Sequence, residues 1–215
     1  MRTAIVLGST GMVGSELVKI LTTTDFYSAV VLLNRRASGY AHPKLTETII
    51  DFDAPALDGV RGEDLYCAIG TTLRKAGSKA AQYRVDCEYP TTIARRLREQ
   101  GTRQMILVSS LGADPRATNF YLRTKGELEA NIIGVGFEST VIVRPSLLLG
   151  KRHAFRAGEV AAGVVMKVLS PLLVGRLRKY RGVDASKVAA RMVEEAKFGI
   201  AGVRIIESDR IGAPS

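Results

Sequence analysis

Tryptophan is absent from this 215-residue sequence, cysteine and histidine occur twice each, and aromatic side chains together make up 6%. Cys67 and Cys87 have no metal-ligand spacing and sit among apolar residues, so they read as reduced packing residues rather than a zinc or disulfide framework. His42 and His153 lie in polar stretches without partners at ligand spacing and read as surface residues. No apolar run approaches the roughly 20 residues that a bilayer span needs. The most apolar late stretch, 161–174, is broken by Lys167 and Pro171. The opening run 4–7 ends at glycine and is too short for a secretory core. These absences set the expectation of a cytoplasmic protein that does not cross a membrane.

Carboxylates are also scarce: 21 against 31 lysines and arginines, a formal charge of +10. The excess fits a solvated basic face that steers anions, an anionic lipid or protein surface, or nucleic acid. Nucleic acid is the least favoured of these, because the late clusters (Lys151-Arg152, then Arg176, Arg178, Lys179 and Arg181) have little of the aromatic interleaving on which bases stack. Hydrophobic residues at 46% and charged residues at 24% are ordinary globular usage. No repeat, low-complexity tract or linker divides the chain. The expectation is one domain over 1–215, with 151–215 a small extension packed on it.

Short apolar runs at 4–7, 29–33, 46–50, 64–69, 104–108 and 139–143 have the continuous character of strands buried on both faces. Helical spacing predicts helices over 14–24, 79–100 and 121–133. The pattern weakens after residue 145, where helices over 158–169 and 185–198 and a last strand over 203–206 are expected. Strands alternating with helices predict an α/β fold, a doubly wound parallel sheet of Rossmann type with helices on both faces.

The first strand runs into Gly8-Ser9-Thr10-Gly11-Met12-Val13-Gly14, a G-x-x-G-x-x-G loop that opens a helix. Gly8 permits the tight turn, Gly11 lets backbone approach a pyrophosphate, and Gly14 lets the helix pack close to the sheet. The helix start then offers free N–H groups and its positive end. A glycine triplet carries weight only in this strand-to-helix context, which is the context here. An acidic residue at the end of the second strand would accept from the ribose of NAD. Asn34-Arg35-Arg36 stand there instead, and the guanidiniums can pair with a 2′-phosphate. NADP is therefore favoured over NAD, the competing reading being two solvated loop charges. Asp51 and Phe52, after the third strand, are candidates for the adenine side, by a carboxylate and a backbone N–H, unless they form a plain turn. The small residues of Cys67-Ala68-Ile69-Gly70-Thr71 suit a wall along ribose and nicotinamide.

Taken together, Gly8-x-x-Gly11-x-x-Gly14, Asn34-Arg35-Arg36, Ile69-Gly70-Thr71-Thr72, Lys75-Ala76-Gly77, Ser109-Ser110, Gly112-Ala113-Asp114, Tyr121-x-x-x-Lys125-Gly126-Glu127 and Arg144-Pro145 resemble the atypical short-chain dehydrogenase/reductases. The likeness is greatest to the branch containing the human Tat-interacting protein, and it thins after about residue 150. It implies an NADP-dependent oxidoreductase acting on a small carbonyl or alcohol. Tyr121 would be proton donor or acceptor, Lys125 would also hold the nicotinamide ribose, and Ser110 would orient substrate. The residues agree chemically: Tyr121 and Lys125 at i and i+4 share a helix face, and a nearby ammonium favours the phenolate. Pro145, without a backbone donor, suits a stiff wall near the nicotinamide amide. Ser109 reads as strand-end packing. Family members often carry an asparagine on the helix after the fourth strand, and Asp86 is the nearest candidate here. The competing reading is a catalytically weak protein that senses NADPH and binds a protein or lipid partner. The sequence names neither the substrate nor the oligomeric state.

Overall fold

The computed structural model describes residues 2–149 and 180–212. The expected helix over 158–169 and most of the late basic cluster lie outside the described residues.

Among the described residues seven strands form one parallel sheet. They are β1 (Arg2–Leu7), β2 (Tyr27–Asn34), β3 (Leu45–Ile49), β4 (Asp64–Cys67), β5 (Gln104–Val108), β6 (Ser139–Arg144) and, last in the chain, β9 (Gly202–Glu207). Their order across the sheet is β3-β2-β1-β4-β5-β6-β9. Two-residue strands β7 (Leu148–Leu149) and β8 (Val183–Asp184) pair in a separate ladder that the sequence reading did not foresee.

Alternation along each strand sends side chains to two cores. Ala4, Val6, Val30 and Leu32 join α1 (Met12–Thr23) and α6 (Ala185–Phe198) on one face through Leu17, Leu21, Val188 and Met192. Ile5, Leu7, Leu65 and Leu107 meet α4 (Tyr89–Glu99) and α5 (Phe120–Val135) on the other through Ile93, Leu97, Leu128 and Ile132. Each fully buried aliphatic side chain here contributes roughly 1.5–3 kcal/mol. Both faces are covered, as the continuous apolar runs require.

The 79–100 stretch is helical but not uniform. It runs as α3 (Lys79–Tyr83), a π turn (Arg84–Glu88) and α4, preceded by the short α2 (Leu73–Ala76). Pro90 explains the π turn: its ring nitrogen has no hydrogen for the carbonyl of Asp86, and the widened turn absorbs the misfit.

A polar brace closes the sheet's N-terminal end. Asp64, fully buried, accepts from Tyr27 Oη at 2.6 Å and from Arg2 Nε at 3.0 Å, and Tyr27 and Tyr66 share a further hydroxyl bond of 2.8 Å. The opposite, C-terminal end holds the candidate site. β1 and β4 part there as the chain winds both ways across the sheet, the position where open α/β sheets bind ligands.

Candidate functional site

Gly8 leaves β1 with φ +90°, and a Cβ there would lie 2.6 Å from the amide nitrogen of Ile69. A Cβ on Gly14 would lie 2.0 Å from the carbonyl oxygen of Gly8. Both positions therefore exclude any side chain, and α1 is pressed directly onto the turn. Gly11 is the N-cap of α1. No side chain caps this terminus and no acid occupies its first turn. First-turn amides have no acceptor inside a helix, so those of α1 keep their N–H groups and the positive dipole end for a ligand.

Beside this terminus lies a cavity of about 620 Å³. Among the described residues of its lining, Arg35, Arg36, Lys75 and Arg84 are the charged ones and none is a carboxylate. Arg84 is engaged with Asp53 at 2.9 Å. Arg35 sits 5.9 Å from the centre of the Phe52 ring, and Phe52 leans on Tyr89 at 5.5 Å. Neither Arg35 nor Arg36 has an ion-pair partner among the described residues.

Of the residues singled out in the sequence, Gly8, Thr10, Gly11, Asn34, Arg35, Arg36, Phe52, Ala68, Ile69, Gly70 and Thr71 line this cavity. The others stand behind or beside it. Ser9 is buried and donates to Asn34 Oδ1 at 2.8 Å. Met12 packs on the core, while Val13 and Gly14 are buried. Asp51 is exposed and spends Oδ1 on the Asp53 N–H at 3.0 Å, which is the turn considered as its alternative. Cys67 is buried, and burial pushes its thiol up to about 11.

Around β2 the structure adds what reading along one strand missed. Asn34 Nδ2 donates to Glu47 Oε1 at 2.6 Å, so a carboxylate does stand near the end of β2, supplied by β3. Lys75, Ala76, Ala81, Arg84, Val85 and Tyr89 are lining residues not singled out as site residues. The capped turn around α2, with Thr72 as N-cap and Gly77 in the left-handed region, was the available signal.

The catalytic candidates are spread around the neighbouring strand ends. Lys125 is 4% exposed and has no hydrogen-bond acceptor among the described residues. It lies under Gly70 together with Asp86. A Cβ on Gly70 would be 3.6 Å from Asp86 Oδ1 and 4.0 Å from Lys125 Nζ. Burial raises the Asp86 pKa, and Lys125 and the Thr71 N–H, which donates to Oδ1 at 2.7 Å, oppose that rise. Tyr121 is 39% exposed, Ser110 is half-buried, and neither belongs to the cavity lining. Pro145 is buried and its carbonyl accepts the Leu111 N–H at 2.9 Å.

Ser109 does more than pack: its hydroxyl donates to Glu129, which Arg144 grips through Nε at 3.0 Å and Nη2 at 2.6 Å. Arg144 also reaches Glu207 at 3.0 Å, tying α5 to the ends of β5, β6 and β9. Gly126 completes the seat of α5, because a Cβ there would lie 2.2 Å from Asp114 C and Pro115 N.

A protein 32% identical over 97% of this chain and 90% of its own length is the mitochondrial protein FMP52 of Coccidioides immitis. FMP52 of Candida albicans is also 32% identical, over 92% of this chain and 89% of its own length. The chain belongs to the FMP52 family. No protein-family model matches it. Among solved structures, MoeE5 in complex with UDP-glucose and NAD superposes with a TM-score of 0.72 at 16% identity, covering 94% of this chain and 74% of that one. The UDP-glucose 4-epimerase of Thermus thermophilus in complex with NAD gives 0.70 at 16% identity, over 98% and 81%. At such identities the likeness is one of fold, a Rossmann-type parallel sheet with helices on both faces.

The FMP52 relatives overturn the cytoplasmic expectation, since they are named as mitochondrial proteins. Cys67 and Cys87 are both free and buried. Among the described residues no helix is long and apolar enough to cross a membrane, and no group of three or more metal-binding side chains occurs.

Proposed function

We propose that this chain binds NADP(H) and transfers a hydride between it and a small carbonyl or alcohol. The observation that carries the reading is the uncapped, acid-free start of α1 opening on a cavity whose charged lining is cationic throughout the described residues. NADP(H) fits that lining: the first-turn amides of α1 meet the diphosphate, and Arg35 and Arg36 meet the 2′-phosphate. Phe52 and Tyr89 flank the adenine end. When bound, the dinucleotide supplies the hydride chemistry. The protein's share is to orient and to move a proton. Tyr121 exchanges the proton with the substrate oxygen, Ser110 holds that oxygen, and Lys125 faces the nicotinamide ribose. NADP over NAD, the place of the chain in the Tat-interacting-protein-like branch, and its organisation as one domain belong to the same proposal. The relatives' names support a mitochondrial setting.

The test mixes purified protein, NADPH and a panel of carbonyl compounds and follows loss of nicotinamide absorbance. Turnover that Tyr121→Phe abolishes is expected. No turnover with any compound, or equal turnover by the variant, overturns the enzymatic part.

One observation favours a second reading. Tyr121 and Ser110 do not line the cavity, and Tyr121 is open to solvent, as in a protein that binds NADPH to regulate contact with a protein or lipid partner. Tight NADPH binding with no turnover, unchanged in Tyr121→Phe, selects this reading.

A further inference from the structure

Arg35 and Arg36 must be presented to the cavity by the backbone that carries them, and one side chain outside the cavity controls that backbone. The segment Asn34–Ala37 lines the cavity continuously. Its first end is fixed by the pairing of β2 and by the Ile50 N–H, which donates to the Asn34 carbonyl at 2.9 Å. Its second end is Ser38, whose backbone N–H donates to Glu47 Oε1 at 2.9 Å. The same oxygen accepts from Asn34 Nδ2 at 2.6 Å. Asn34 in turn receives the Ser9 hydroxyl at 2.8 Å. One carboxylate oxygen therefore ties the arginine segment at both ends and links it, through Asn34, to the glycine loop.

Glu47 can do this because it faces Leu32 in the β2–β3 register. Asn34 is then its diagonal neighbour on the same face, within reach of a long side chain. Bonds to a charged acceptor are about twice as strong as neutral ones. The bonds from Ser38 and Asn34 hold the Glu47 pKa below the ordinary glutamate range, so the acceptor is ionised at neutral pH. Among the described residues Glu47 forms an ion pair with neither guanidinium, and both stay available to an anion. The fold itself has little need of the contact, since β3 is an edge strand and its backbone ladder to β2 is complete.

We infer that Glu47 is a positioning residue: by fixing Arg35–Ala37 between Asn34 and Ser38 it sets the preference of this cavity for a 2′-phosphorylated dinucleotide. The inference rests on the proposed NADP reading. Glu47 itself is not among the residues that line the cavity.

The experiment titrates NADP⁺ and NAD⁺ calorimetrically into wild type, Glu47→Ala and Glu47→Gln. In Glu47→Ala the ratio of NADP⁺ to NAD⁺ affinity is expected to fall about tenfold, with NAD⁺ affinity nearly unchanged, as loss of a charged hydrogen bond predicts. Glu47→Gln keeps a carbonyl acceptor and is expected to lose less. Amide exchange at Ser38 in the ligand-free protein should quicken in Glu47→Ala, a readout that needs no dinucleotide. A wild type without preference removes the cofactor reading, and this inference with it. A wild type that prefers NADP⁺, with a ratio unmoved by Glu47→Ala or with both affinities falling equally, overturns the inference alone. Should Glu47→Ala fold poorly, Glu47→Gln carries the same comparison.

Discussion

Replacing Gly14 by alanine would set a methyl carbon 2.0 Å from the Gly8 carbonyl oxygen, 2.8 Å from Gly8 C and 2.9 Å from Ser9 Cα. Carbon contacts are comfortable at about 3.5–4.0 Å. All three neighbours are backbone, so no side chain can swing aside, and α1 must move off the turn by more than about 1 Å to restore such contacts. Overpacking of this kind costs about 1–3 kcal/mol. At roughly 2–4 °C per kcal/mol for a chain of this size, the melting temperature should fall by several degrees. The larger effect falls on binding, because the displaced first turn no longer aims its amides at the diphosphate. Loss of one charge-assisted amide bond to the diphosphate would weaken binding by about tenfold or more. Gly134→Ala is the matched control. It lies within α5, and a Cβ there meets nothing within 4 Å. Alanine should stabilise that helix by up to about 1 kcal/mol and leave binding alone. Scanning calorimetry and dinucleotide titration of both variants decide the matter. A Gly14→Ala protein that melts and binds like wild type would refute the close-packing argument and the role given to α1.

Arg35→Ala and Arg36→Ala should each weaken NADP⁺ more than NAD⁺, by about tenfold for loss of one charge-assisted pair; paired titrations check this. Gly126→Ala should push α5 away from the Asp114-Pro115 backbone, lowering turnover more than NADP⁺ affinity, since the helix carries Tyr121 and Lys125 while the glycine loop stays in place; kinetics beside titration separate the two. The pKa of Glu47 is lowered on folding, so its stabilising contribution is complete above the ordinary glutamate value, about 4.3, and is lost only as pH falls through the lower folded value. Between about pH 7.5 and 5.5 Glu47 stays ionised while a 2′-phosphate gains a proton near pH 6. The NADP⁺ to NAD⁺ affinity ratio should therefore decline over that range, to the same proportion in wild type and Glu47→Gln.

Strands buried on both faces announce themselves as unbroken apolar runs, which is why 4–7, 104–108 and 139–143 match β1, β5 and β6 within a few residues. The helix over 185–198 was legible to the residue, because its apolar positions keep helical spacing up to Gly199. The π turn before Pro90 was not, since apolar spacing continues across it and only the missing N–H marks the place. β7 and β8 are too short to show a period. At the site, the glycine loop and Asn34-Arg35-Arg36 are contiguous in sequence and could be read together. Glu47, Lys75 and Arg84 reach the same region from other elements by long side chains, and Glu129 finds Ser109 and Arg144 only through tertiary packing. Neither periodicity nor local motif encodes those meetings. Asp51 shows the reverse case: its position after β3 is legible in the sequence, and the turn of its side chain back to the Asp53 N–H is not.

The measurement that bears most directly on all of this is a calorimetric titration of the wild-type protein with NADP⁺, followed by competition with NAD⁺ and with ADP-ribose, which shares the diphosphate and lacks the nicotinamide. Saturable binding at one site per chain, tighter for NADP⁺ and displaced by both competitors, is the predicted result. Absence of heat with every one of these nucleotides would contradict the assignment of the α1 terminus as a diphosphate cradle.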